Sequence, residues 1–207
     1  GATPILIDVE PEGYLIDPGA VERFLREQCG YKGSDLREKK SGLRVKALLP
    51  VHLFGQTCSM SVLKRLAGEH GLKVVEDVAQ GLGARIPQGP AASKAAGTAG
   101  DLGCFSFFPS KILGGIGDGG LVATDKESLA RQISMLRVHG EKQKYRHEAI
   151  GINSRLDAIQ AAVLSVKLRH LDQWCEQRIA RARAYEALFT ASGLVEKTVV
   201  RLPDIGR

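Results

Sequence analysis

An α/β fold is predicted by three features of this 207-residue chain. Two apolar runs, 45–53 (VKALLPVHL) and 72–75 (LKVV), are continuous rather than alternating, as strands covered on both faces are. Between them, 59–70 (SMSVLKRLAGEH) carries helical spacing and closes at Gly71. Strand, helix and strand at this distance form a βαβ unit, hence parallel strands joined by a right-handed crossover.

In chain order, 4–9 (PILIDV) reads as a short strand. Asp17 and Pro18 then open a helix, since aspartate caps and proline suits the first turn; it runs through VERFLREQ to about Gly30. Residues 30–43 are polar, charged and glycine-punctuated, a surface loop. Pro50 ends the 45–53 strand at about its own position. Residues 86–100 (IPQGPAASKAAGTAG) read as a mobile loop. Two further strands, 105–108 and 120–124, flank a glycine-rich turn, and 124–127 (TDKE) forms a capping box for a helix through Leu136. From Asn153 and Ser154 a helical pattern, with Leu156, Ile159, Val163, Leu168 and Leu171 on one face, runs without Pro or Gly to about Ser192. Such a helix spans roughly 50 Å, enough to leave one domain and enter another. The tail 194–203 reads as the beginning of a strand.

Composition narrows the function. The formal charge is +6 and the pI about 9.2, but the basic residues are spread out and no nucleic-acid-binding motif is present, so nucleic acid is not the expected partner. The spacing of Cys29, Cys58, Cys104 and Cys175 fits reduced thiols in a cytoplasmic protein better than a zinc site. No apolar run approaches the ~20 residues of a membrane span, and no signal peptide is visible. The opening GATPILIDVEPEG already resembles the interior of a domain, so the natural N-terminus is expected to lie elsewhere.

Two residues invite a chemical reading. Asp77, in VVEDVAQ, sits just beyond the LKVV strand, where open α/β sheets bind ligands; equally, Asp77 or Glu76 caps the turn that follows. Gln80 would face the same side as Asp77. Lys111 lies in FSFFPSKILGGIGDGG. If that stretch is buried, desolvation favours the neutral amine that attack on a carbonyl requires; if not, Lys111 is a solvated lysine beside a turn. Ser106 and Ser110 place hydroxyls near it, suited to a phosphate or to the backbone. Gly115, Gly117 and Gly120 match GxGxxG, but they follow no βα junction of the dinucleotide-binding kind, and that reading is rejected.

Taken together, VVEDVAQ, GDLGCFSFFPSK with GDGG, LRVHG and GINSRLDAIQAAVLSVKL resemble the DegT/DnrJ/EryC1/StrS family of pyridoxal-phosphate enzymes, mostly sugar-nucleotide aminotransferases, over nearly the whole chain. The resemblance implies the aspartate-aminotransferase fold (fold type I). Residues 1–152 would form a large cofactor-binding domain on a mixed, mostly parallel sheet, lacking its N-terminal part. Residues 153–207 would supply a long interdomain helix and the start of an incomplete small domain. Lys111 would hold pyridoxal 5'-phosphate as a Schiff base and shuttle the proton. Asp77 would pair with the pyridinium nitrogen, Gln80 with the ring hydroxyl and Ser106 with the phosphate. Asn153 would reach the phosphate of a neighbouring subunit's cofactor, making a homodimer with shared sites. His139 and Arg155 are candidates for the substrate side, or else a packed histidine and an interface ion pair. Glutamate would be the amino donor and a keto-sugar nucleotide the acceptor, in polysaccharide or glycosylated natural-product biosynthesis.

Some features depart from the family pattern. Ile112 stands where asparagine is frequent after the lysine, Cys175 likewise replaces a common asparagine, and the 30–43 and 86–99 loops look long. Segments that would complete the cofactor and substrate pockets are expected on both sides of these residues. The PSK and GDGG wording resembles members that aminate C3 more than C4. Lys111 argues against the dehydratases of the family, which tend to carry histidine there. A non-catalytic role, as regulator, sensor or inactive remnant, is the second expectation.

Overall fold

The structure is a computed structural model and describes residues 1–87, 89 and 92–203. Asp17 opens the first helix as predicted. Its carboxylate accepts from the Gly19 N–H at 2.7 Å, and Pro18 begins α1 (Pro18–Arg23), which widens into a π turn over Phe24–Gln28. The 4–9 segment is not a strand. It has one antiparallel bridge, Val9 to Ile16, and Leu6 is 91% exposed; without a neighbour to complete a ladder, apolar content alone makes no strand.

Residues 30–43 hold a hairpin rather than a loop. β1 (Cys29–Lys32) and β2 (Asp35–Glu38) pair antiparallel from Cys29–Glu38 to Lys32–Asp35, turning at Gly33 with φ +63°. Cys29 and Leu36 are buried, Lys32 is exposed, and Asp35, Arg37 and Glu38 are half-buried around them.

The main sheet contains β3 (Ala47–Leu48), β4 (Lys73–Asp77), β5 (Leu102–Ser106) and β6 (Gly120–Ala123), side by side in chain order. The first two pairings are parallel and the last is antiparallel, so the sheet is mixed and mostly parallel as the resemblance implied. The predicted crossover helix is α2 (Met60–Glu69), which buries Met60, Leu63, Leu66 and Ala67. The β3 ladder stops short of Pro50, as expected. The chain nevertheless stays beside β4: the Asp77 N–H donates to the Pro50 carbonyl and the His52 N–H to the Asp77 carbonyl, each at 2.9 Å.

Among the described residues only one face of this sheet is covered. Leu48, Pro50, Val74 and Glu76 are buried, whereas on the other face Leu49 is 57%, Val51 38% and Val122 44% exposed. The expectation of cover on both faces is therefore corrected; the runs are apolar on both sides, but burial alternates with the pleat.

Residues 86–100 are not loose where they are described; Gln88, Pro90 and Ala91 lie outside the described residues. Ile86, Ala96 and Ala99 are buried, and Arg85 bridges to Ala95. After β6, α3 (Glu127–Leu136) starts from Lys126 with no side-chain cap. Thr124 Oγ1 accepts from the Lys126 N–H and donates to the Asp101 carbonyl, so its bonding is spent on a turn rather than a capping box.

A small hairpin, β7 (Glu141–Gln143) and β8 (Arg146–His147), leads to two helices in place of the single long one: α4 (Ala158–Leu168), capped by Asp157, and α5 (Leu171–Ala191). They part at Arg169 and His170, where the His170 N–H bonds back to Lys167. The break lets Leu164 and Leu171 pack on Phe107 and Leu113 in a second, smaller core. The buried face thus follows Leu156, Leu164, Leu171 and Cys175, leaving Ile159 65% and Leu168 55% exposed, against the predicted stripe. The tail forms turns over 193–200 rather than a strand; 204–207, the end of the predicted second domain, lie outside the described residues.

Candidate active site

The pleat and the register decide which side chains meet. Asp77 pairs with Cys104 across the parallel β4–β5 ladder, so their side chains share a face, and Ser106, two residues further along β5, shares it too. Glu76 points to the other side.

Asp77 ends β4. Its Oδ1 accepts from the Ala79 N–H at 2.9 Å, the turn-capping contact open to it from sequence. Among the described residues no donor bonds its second oxygen. Burial and the Asp77 charge push the Cys104 thiol above its ordinary range. Gln80 is exposed, and its Oε1 accepts from the Phe54 N–H at 2.8 Å. That contact fixes the amide orientation and turns two N–H donors outward. Ser106, half-buried at the end of β5, accepts weakly from the Phe108 N–H at 3.3 Å.

Lys111 lies in the loop that leaves β5. The neck of this loop is closed by the Gly115 N–H on the Phe107 carbonyl at 2.8 Å, and the Lys111 N–H bonds the Phe108 carbonyl at 2.9 Å. On its far side Ile112 and Leu113 pack into the second core. Lys111 is half-buried, and its Nζ has no hydrogen-bond or ion-pair partner among the described residues. Lys111, Asp77, Gln80 and Ser106 therefore gather at one edge of the sheet, beyond the carboxyl ends of its parallel strands, the usual ligand edge of open α/β sheets. An open groove of about 430 Å³ runs between Ile112 and α5, walled by Trp174, Gln177, Arg178 and Arg181.

Asn153, His139 and Arg155 stand apart. Asn153 is exposed and bridges to Val138. His139, exposed with φ +63°, bonds the Ile152 carbonyl through its N–H and accepts from His147 Nδ1 at 3.0 Å. Arg155 is exposed. No hydrogen bond or ion pair joins these three to the Lys111 cluster among the described residues.

The sequence reading missed a buried pair. His52 and Glu76 are both fully buried, and His52 Nε2 meets Glu76 Oε2 at 2.9 Å. The Cys58 N–H donates to His52 Nδ1 at 3.1 Å, so the ring proton sits on Nε2 and is given to Glu76. The amides of Gly97, Ala99 and Gly100 also donate to the Glu76 carboxylate. Burial pushes the carboxyl up, but His52 and the Gly100 and Gly97 amides outweigh it and hold Glu76 below its ordinary range. The pair ties three strand-end segments together directly behind Asp77. The only hints in sequence were a histidine inside an apolar run and the Glu-Asp doublet.

Residues 1–203 match the sequence profile of the DegT/DnrJ/EryC1/StrS aminotransferase family. The chain is 42% identical over 188 residues to a pleiotropic regulatory protein of Geobacillus stearothermophilus, covering 91% of this chain and 45% of that one. It is 40% identical over 203 residues to a dTDP-3-amino-3,4,6-trideoxy-α-D-glucose transaminase of Streptomyces venezuelae, covering 98% of this chain and 47% of the relative. Among solved structures, a DegT DnrJ EryC1 StrS aminotransferase from Brucella abortus superposes with a TM-score of 0.81 at 34% identity, over 92% of this chain and 48% of that chain. The chain thus spans about half the length of the relatives it matches.

Proposed function

The chain belongs to the DegT/DnrJ/EryC1/StrS aminotransferase family, and from that premise we propose that it serves the transfer of an amino group, taken from glutamate, to a keto-sugar nucleotide with pyridoxal 5'-phosphate. The observation that carries this reading is the gathering of Lys111, Asp77, Gln80 and Ser106 at the carboxyl edge of the sheet. The side chains fit the cofactor: an amine with no partner among the described residues for its aldehyde, a carboxylate oxygen with no donor among them for its ring nitrogen, and a hydroxyl for its phosphate.

Pyridoxal phosphate, when bound, supplies an aldehyde and an electron-withdrawing ring. The residues do the rest. Asp77, with one carboxylate oxygen bonded to the Ala79 N–H, would hold the ring nitrogen and favour its protonated form by its charge. Gln80, its carbonyl held by Phe54, offers its amide N–H groups to the ring hydroxyl. The Ser106 hydroxyl donates to the phosphate. Lys111 Nζ would hold the cofactor through its aldehyde and, as a free amine, would be the base that moves a proton at the donor carbon. Arg178 and Arg181, beside Ile112, line a groove whose guanidinium groups suit a diphosphate.

In this reading residues 1–152 are the cofactor-binding domain and 153–207 open a second domain. Asn153 acts in a partner subunit's site: with Ile150 fully exposed, and Tyr145 and Ile152 81% and 66% exposed, the arm that carries it has an apolar surface for a second copy of the chain. His139 and Arg155 serve the substrate side. The reaction is placed in the cytoplasm, where four unpaired cysteines stay reduced; no helix among the described residues is long and apolar enough to cross a membrane.

The test is titration with pyridoxal phosphate, followed by borohydride reduction and mass mapping. A visible band and a reduced adduct on Lys111 are expected, both lost in Lys111→Ala. An adduct elsewhere, or no band, overturns the reading. The name of the Geobacillus relative favours one alternative, a regulator without turnover. It is distinguished by a chain that binds cofactor yet converts no glutamate to the oxo-acid.

A further inference from the structure

The glycine turn behind Lys111 is held by α4. Gln160 Oε1 accepts from the Ile116 N–H at 2.8 Å, and Lys167 Nζ donates to the Gly114 carbonyl. Residues seven apart lie two turns apart on one helix face, so a single face makes both contacts. The amide of Gln160 occupies the turn itself: a Cβ on Gly115 would lie 2.5 Å from its oxygen, and one on Gly117 2.8 Å from its nitrogen. These glycines mark where a side chain from α4 passes through.

The same turn closes the neck of the Lys111 loop through the Gly115–Phe107 bond. Whatever fixes Gly114 to Ile116 therefore fixes the base from which Lys111 reaches. We propose that Gln160 and Lys167 are positioning residues that set the reach and direction of Lys111 toward Asp77 and Ser106. This rests on Lys111 being the cofactor lysine. Apolar packing of Leu113 on Leu164 and Leu171 holds the loop down but does not fix its height; two directional bonds to the turn do.

The test compares Gln160→Leu, Gln160→Glu and Lys167→Met with the parent chain. Three quantities are read: amide hydrogen exchange at Ile116, the rate of Lys111 acylation by acetic anhydride without cofactor, and the half-saturating concentration of pyridoxal phosphate. Gln160→Leu should speed Ile116 exchange about tenfold, the equilibrium weight of one hydrogen bond. It should also change the Lys111 acylation rate and raise half-saturation about three- to tenfold on the same scale. Gln160→Glu keeps the acceptor and should restore all three, and Lys167→Met should act in the same direction as Gln160→Leu. Faster Ile116 exchange with unchanged acylation and half-saturation would make the contact merely structural and overturn the proposal; so would unchanged exchange. If the parent chain gives no visible band, the cofactor reading fails, while exchange and acylation still decide whether the clamp positions Lys111. If Gln160→Leu fails to fold, Gln160→Glu and Lys167→Met carry the same comparison.

Discussion

Glu76 and Asp77 are neighbours in β4, and the pleat sends them to opposite faces of the sheet. Glu76 enters a closed environment with every donor accounted for: His52 and the amides of Gly97, Ala99 and Gly100. Asp77 enters an open one with a single donor among the described residues, Ala79. Chemically similar groups one residue apart therefore take opposite tasks. A carboxylate whose acceptor capacity is filled by the protein can only hold the fold, whereas one with capacity to spare can meet a ligand.

The contrast breaks most sharply by truncation. Glu76→Ala leaves the His52 N–H and the buried amides of Gly97 and Ala99, with the half-buried amide of Gly100, without their acceptor. It should lower unfolding stability by about 3–5 kcal/mol, the usual cost of removing one partner from a buried pair. Asp77→Asn should shift the same denaturant curve by no more than about 0.5 kcal/mol, while, on the proposed reading, the transamination rate falls by roughly 100-fold or more. Equal stability losses in the two variants would erase the distinction.

The two faces can be compared again with matched leucines. Leu48→Ala, at a buried position, should cost about 2–4 kcal/mol, and Leu49→Ala, more than half exposed, less than about 1 kcal/mol.

The gentlest test is acid. The folded pKa of Glu76 lies below its ordinary value of 4.5. The unfolded chain thus takes up the proton first, and the contribution of Glu76 is complete above about pH 4.5 and is lost as pH falls through the lowered folded value. Denaturant midpoints between pH 6 and pH 3 should show this loss. Glu76→Gln should flatten it, and Asp77→Asn should leave it in place.

The same comparison explains what was legible in the sequence. The crossover unit, the Asp17 cap and the strands on either side of the glycine turn depend on local pattern, and each appears close to its expected position. So do Asp77, at the end of β4, and Lys111, between β5 and the glycine turn. The 86–100 stretch looked loose because its order comes from backbone amides bound to Glu76, and backbone donors leave no trace in composition. The 30–43 hairpin was hidden because each of its two short strands buries a single residue, Cys29 and Leu36, too few for an alternating pattern to show. The division into α4 and α5 was hidden for a different reason: the helix stops for the sake of tertiary contact with Phe107 and Leu113, without a proline or glycine to announce it. Gln160 belongs to the same class, a polar residue in a helical run whose partner lies 44 positions away.

That division also sets where the long arm of the molecule starts. Leu164 and Leu171 grip the second core on either side of Arg169 and His170, while α5 continues for 21 residues and is largely exposed along its length. At 1.5 Å of rise per residue, Ala191 lies roughly 30 Å along the helix axis from Leu171. The break is anchored in the core that also holds Ile112 and Leu113, so the distance between a point on α5 and the Lys111 loop grows simply with its position along the helix.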